Sequence, residues 1–182
     1  MNLVVRKMSI DDVALLDEQW LTFARDKDEL PTQAYEKAID WAGRVMRGEV
    51  TTDAKVHSVA GQDGEIKAIF DLVDVRAPFP KGFIKILSVV VSPQLDFNAM
   101  KATDRFSMPH ELSETVAQVI AYGLDRMNEF QSCERLKFYA SDTVTLQLIQ
   151  RAWGSESAQE LLAETGIKTD LRGNWAEFSR YD

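Results

Sequence analysis

The sequence predicts an α+β fold, a central mixed but mostly antiparallel sheet of about six or seven strands flanked by helices. Strand-like runs at Val56 to Ala60, Ile66 to Val75 and Phe83 to Val91 follow one another with turn residues between them. Amphipathic stretches with helical period lie on both sides of that group. The late part of the third run, Leu87-Ser88-Val89-Val90-Val91, is apolar on both faces apart from Ser88, as expected of a strand in the middle of a covered sheet.

The elements follow in order. Leu3 to Arg6 reads as a short strand, and Ser9 with Asp11 and Asp12 supplies N-cap chemistry for a helix whose buried face carries Val13, Leu16, Trp20 and Phe23 or Ala24. Pro31 opens a second helix at the position where its missing N–H costs nothing, with Tyr35, Ala38, Ile39, Ala42 and Val45 or Met46 on one face. The next two strands join in a hairpin at Gly61-Gln62-Asp63-Gly64, whose glycines allow positive dihedrals. Ala77-Pro78-Phe79-Pro80 ends the second of them, because proline cannot donate to a ladder. Phe83 to Val91 stops at Ser92-Pro93, and a long polar loop leads into a helix striped by Leu112, Val116, Val119, Ile120, Gly123, Leu124 and Met127. Leu136 to Ala140 is a strand. Asp142 caps a helix to Gly154, Ser155 to Glu164 is a short helix ending at Gly166, and Trp175 to Ser179 is the last strand.

Composition bounds the function. The 182 residues, 45% apolar and 27% charged, have the make-up of one domain spanning 1–182, able to bury roughly two-thirds of its unfolded surface. A single cysteine, Cys133, excludes an internal disulfide and is read as a bystander. Two scattered histidines, His57 and His110, offer no metal cluster, so no metal is expected. A net charge of -8 argues against a general nucleic-acid or anionic-membrane surface, although a local basic patch stays open. With no basic leader before an apolar core and no membrane-length apolar run, a cytoplasmic location is expected. The four tryptophans, Trp20, Trp41, Trp153 and Trp175, are assigned to packing.

The order strand, two helices, three strands, helix, strand, helix, small helix, strand resembles the Gcn5-related N-acetyltransferases over nearly the whole chain, in order and spacing more than in motif residues. The resemblance implies a cleft where the fourth strand, bulged, splays from the fifth, and where exposed main-chain groups pair with the pantetheine arm of acetyl-CoA. Those residues here are Leu87, Ser88, Val89, Val90 and Val91, with Ser88 where a bulge would sit. A plain central strand is the alternative. The family also holds the pyrophosphate with a glycine-containing motif after that strand, because bare N–H groups at a helix N-terminus solvate phosphate. From Ser92 to His110 this chain has no glycine. Side chains of Asn98, Lys101, Arg105 and Ser107 are the candidate replacements, with Lys101 and Arg105 on one face of a short helix from Phe97 to Arg105 or in a solvated loop. Glu111 and Glu114, in the first turn of the long helix, compete with phosphate for its N–H groups.

Transfer needs a base for the amine and an acid for the departing thiolate. The family often uses a tyrosine in the helix after strand five, where this chain has Ile149; Tyr139 is the nearest phenol in sequence. Asp71, Asp74, Glu65 and His110 are the candidate bases. The acidic run Asp26-Lys27-Asp28-Glu29 either attracts a cationic acceptor or is a solvated turn. Two functions follow. One is an acetyl-CoA-dependent N-acetyltransferase acting on a small-molecule or protein amine; the other is a non-catalytic module of the same fold whose partner is a protein. Neither reading sets monomer or dimer.

Overall fold

The computed structural model describes residues 3–75, 82–101, 110–129, 133–140, 146–147, 149–150, 162 and 164–180. Its elements run β1 (Val4–Lys7), α1 (Ile10–Leu16), a π-helical turn (Asp17–Leu21), α2 (Thr22–Arg25), α3 (Thr32–Met46), β2 (Ala54–Ala60), β3 (Ile66–Val75), β4 (Gly82–Val91), α4 (Pro93–Lys101), α5 (His110–Asn128), β5 (Cys133–Tyr139), β6 (Ile167–Arg172) and β7 (Trp175–Arg180). The strands make one seven-stranded sheet in the order β1-β2-β3-β4-β5-β7-β6. β4 runs parallel to β5, whereas β1 with β2, β5 with β7 and β6 with β7 are antiparallel. This is the mixed, mostly antiparallel sheet that the sequence predicts. The chain divides into two compact units, Met1–Phe70 with Val90–Thr115 and Asp71–Val89 with Val116–Asp182.

In the first unit, Ser9 caps α1 as its sequence context dictates. Ser9 Oγ accepts from the Asp12 N–H, and the Asp12 carboxylate accepts in return from the Ser9 N–H at 2.8 Å, a reciprocal box. Arg6 Nη2 completes the set at 2.5 Å from Asp12 Oδ1, so this buried carboxylate is paired. The π-helical turn adds a residue to the helical repeat and brings both Trp20 and Leu21 into the core, with Ala24 behind them. Val13 and Phe23, expected on the buried face, are only half-buried. Trp20 Nε1 donates to the Ile66 carbonyl at 2.8 Å, which satisfies the indole where it is fully buried. Pro31 is the N-cap of α3, one residue before the place the sequence implies, and Tyr35, Ile39 and Ala42 form the buried face as expected. In the β2–β3 hairpin, Gly64 takes φ +81°; Gly61 does not need a positive φ.

Two elements depart from the sequence reading. The stretch read as a polar loop after β4 is helical at once, from Pro93 to Lys101. Ser92-Pro93 is a helix start, with Pro at the first position and the Leu95 and Asp96 N–H groups both bonded to the Ser92 carbonyl at 3.0 Å. The second departure is β6, which the sequence reading leaves out. Its alternation of Ile167, Thr169 and Leu171 with Lys168, Asp170 and Arg172, followed by the two-residue turn Gly173-Asn174, is the hairpin signal that identifies it. The helix read from Asp142 to Gly154 is described only at 146–147 and 149–150, all helical; Trp153 and the turn at 77–80 lie outside the described residues.

In the second unit, α5 lies on one sheet face, where Ile84, Ile86, Leu136, Phe138, Ala176 and Phe178 are almost wholly buried. Gly123 sets the spacing. A Cβ there would stand 2.9 Å from both Leu136 methyls and 3.1 Å from Ile86 Cδ1, so only hydrogen fits between helix and sheet. Gly123→Ala gains about 1 kcal/mol of helix propensity and loses about 1–3 kcal/mol to overpacking. The expected outcome is a net destabilisation, read as a lower urea midpoint with an unchanged m-value, where an exposed helical glycine would give the reverse.

Candidate functional site

The β4–β5 ladder is short. The register begins at Gly82↔Cys133, shifts between Gly82 and Phe83, and ends at Ile86↔Phe138, although β4 continues to Val91. Among the described residues, Leu87, Ser88 and Val89 have no partner on β5, while Tyr139 pairs on its other side with Trp175. The burial of β4 changes phase at the same place. Gly82, Ile84 and Ile86 are buried at even positions, and the next buried residue is Val89. A change of phase with no turn is what one extra residue in a strand produces, so Leu87-Ser88 has the pattern of a β-bulge. Beyond Ile86 no strand pairs the main-chain groups of β4 on its β5 side among the described residues, the kind of edge with which an extended ligand can pair.

The chain after β4 is arranged differently from a glycine cradle. Ser92 is fully buried and its N–H donates to the Lys67 carbonyl at 2.8 Å, so β4 passes directly into α4. Helix α4 is docked by its side chains. Tyr35 Oη donates to Asp96 Oδ2 in a short hydrogen bond, Phe97 stands edge-on to Phe23 at 6.1 Å, and Lys101 Nζ pairs with Glu29 Oε2 at 2.5 Å. Burial, then the hydrogen bond to Asp96 and its charge, push the Tyr35 phenol well above its ordinary range, which keeps it a donor. Of the candidate phosphate contacts, Asn98 is exposed on α4 and Lys101 holds Glu29 with its ammonium 5.5 Å from the Phe97 ring centre. Arg105 and Ser107 lie outside the described residues.

The first turn of α5 is tied down as well. Glu111 does not fold back on its own helix end; its Oε1 pairs with Lys67 Nζ at 2.7 Å, and Glu65 Oε2 pairs with the same ammonium at 2.7 Å. Lys67 is buried on β3, where desolvation acts to lower its pKa, but the two carboxylates outweigh that and raise it. Glu65, a candidate base, is therefore part of an ion triad. Glu114 faces His110, with Nδ1 to Oε2 at 3.4 Å.

The candidate catalytic residues fall into different surroundings. His110 opens α5 with its side chain 85% exposed. Asp71 and Asp74 lie on β3, half-buried and engaged with neighbours. Tyr139 packs against Trp175, ring centres 4.9 Å apart. Ile149, at the position of the family's tyrosine, is helical and fully buried. His57, unused in any site, is a core residue stacked on Phe70 at 5.3 Å with Nδ1 at 2.9 Å from the Lys55 carbonyl. Cys133 is buried, and no cluster of metal-ligating side chains occurs among the described residues. No described helix is long and apolar enough to cross a membrane.

The Lys67 triad sets up a direct test. Lys67→Met leaves two carboxylates facing each other and is expected to cost about 3 kcal/mol, as breaking a buried ion pair from one side does. Glu111→Gln, which leaves Lys67 with Glu65, should cost less. Because the folded-state pKa of Lys67 is raised, its contribution is complete below the unfolded lysine pKa and fades only as pH climbs through the folded value. Urea unfolding at pH 7 reads both variants in the range where the wild-type contribution is intact.

No family model matches the chain, and no curated protein matches it. Solved structures do. AAC(6')-Ib in complex with ribostamycin and coenzyme A superposes with a TM-score of 0.52 at 10% identity, covering 99% of this chain and 94% of that one. The histone acetyltransferase HPA2 and related acetyltransferase from Corynebacterium glutamicum gives 0.49 at 12% identity, covering 100% and 98%. AtaTR bound with AcCoA gives 0.47 at 12% identity, covering 98% and 93%. The chain thus has the fold of the Gcn5-related N-acetyltransferases.

Proposed function

We propose that this chain, 1–182 acting as a single domain, is an acetyl-CoA-dependent N-acetyltransferase that transfers directly to the amine of a small molecule or protein. The observation that carries this reading is the end of the β4–β5 ladder at Ile86↔Phe138, with the change of burial phase at Leu87-Ser88. Acetyl-CoA would supply an activated acetyl thioester. The main chain of Leu87 to Val91 would pair with the pantetheine arm, and a β4 N–H would stabilise the oxyanion as the amine nitrogen bonds to the carbonyl carbon. Asn98, Lys101, Arg105 or Ser107 would contact the phosphates in place of glycine amides. Asp71 or His110 would take the amine's proton, and Tyr139 would give one to the thiolate as the carbon–sulfur bond breaks.

A second reading is a non-catalytic module of the same fold that binds a protein partner. The commitment of Glu111 and Glu65 to Lys67 and the buried Ile149 in place of a phenol favour it.

Thermal unfolding separates the two. At about 100 times its dissociation constant, acetyl-CoA should add about 2.7 kcal/mol of stability if it binds the folded chain. Tyr139→Phe is expected to keep that gain while lowering turnover with an amine acceptor about 100-fold or more. Absence of any shift with acetyl-CoA would leave the protein-binding module as the reading.

A further inference from the structure

We propose that the sheet face of the second unit opposite α5 binds single-stranded nucleic acid. The pairing register puts Phe83, Lys85, Arg135, Lys137, Tyr139 and Trp175 on that face, across β4, β5 and β7. The face is reached by solvent, since the side chain of Arg135 is 49% exposed and that of Lys137 33%. Its charge runs against that of the chain. On β6 Arg172 is paired with Asp170 at 2.5 Å and Lys168 is engaged with a neighbour, which leaves Lys85, Arg135 and Lys137 around Glu177 as the cationic group, in a protein whose net charge is -8.

The cations crowd one another. Lys85 and Lys137 hold their ammonium groups 5.0 and 5.8 Å from the centre of the one Phe83 ring, so they lie within about a Debye length of each other, about 10 Å at 0.1 M salt. Among the ion pairs of the described residues Glu177 is shared, with Arg135 at 3.3 Å and with Lys137 at 3.4 Å. Lys67, by contrast, has two carboxylates to itself. Cations gathered around one shared carboxylate make a site that gains from an added polyanion.

The aromatic rings choose among polyanions. An acidic peptide would satisfy the cations and make no use of the ring faces of Phe83, Tyr139 and Trp175. A single strand offers phosphates to the cations and base faces to the rings, the combination used by sheet surfaces that bind unpaired nucleic acid. Phe83 lies opposite Arg135, four residues before Tyr139 on β5, so the rings are spread about 13 Å along the strands. A flat face of this kind presents no helix to a duplex groove. The overall negative charge weakens long-range attraction without altering this local field, and of the residues on this face Tyr139 alone also figures in the proposed acetyl transfer.

The experiment is fluorescence anisotropy with the full chain and a labelled mixed-sequence RNA of about 16 nucleotides. Saturable binding is expected at low salt, with log K falling against log salt at a slope of about -2 for three phosphate contacts. The double variant Lys85→Gln, Lys137→Gln should weaken binding at least tenfold while its thermal midpoint stays level or rises, since the change relieves repulsion. A purely structural role for the two lysines would lower the midpoint. Phe83→Leu should weaken binding severalfold with little change in the salt slope. No saturable binding up to about 100 µM RNA, binding that the double variant leaves intact, or polyglutamate bound as tightly as RNA would each overturn the proposal, the last pointing to an acidic protein segment.

Discussion

A strand that is paired for only half its length sets the terms for the rest of this molecule. On its β5 side β4 is paired as far as Ile86, and beyond that point its N–H and C=O groups on that side have no strand partner among the described residues. Main-chain polar groups in a sheet carry a large penalty when dry and unbonded, so such a strand end must meet water, a ligand or another chain. Parallel pairing of β4 with β5 requires a long crossover, which α4 and α5 provide. The packing of α5 on one side of that crossover is close enough to exclude even a methyl group at Gly123.

The route from β4 to α5 departs most from what the fold resemblance implies. A loop built to approach phosphate would be glycine-rich and bare. Here β4 runs straight into a nine-residue helix, docked by Tyr35 on Asp96, Phe23 on Phe97 and Glu29 on Lys101. Lys67 binds the first turn of α5 through Glu111 and, through its carbonyl, the Ser92 N–H. Among the described residues the Lys101 ammonium and the Ser92 N–H are already occupied inside the first unit. An acyl donor bound here would have to be held more by the strand and less by a helix terminus than is usual for the fold.

Much of this was legible in the residues. Ser9 and Asp12 wrote the α1 cap, the Tyr35, Ile39 and Ala42 stripe wrote α3, and the stripe from Leu112 to Met127 wrote α5, because caps and periodic apolar faces are local signals. β6 was missing from the reading, although an alternating run before Gly173-Asn174 signalled it, and α4 was read only as a short helix from Phe97 to Arg105 or a loop, although Ser92-Pro93 marks its start. The π-helical turn had none, since it arises from the need to bury Trp20 and Leu21 together. Side-chain commitments were also out of reach. Glu111 looked like a helix-dipole partner in sequence, and only the fold brings Lys67, 44 positions earlier, against it.

The lone cysteine has a use that follows from its place. Cys133 starts β5, opposite Gly82 where the short ladder begins, and has no exposed surface. A thiol so enclosed reacts with an alkylating reagent only when the strand around it opens, so its modification rate measures the free energy of that opening. With no second thiol in the chain to confuse the signal, the molecule carries its own gauge of how firmly the closed end of the two strands holds.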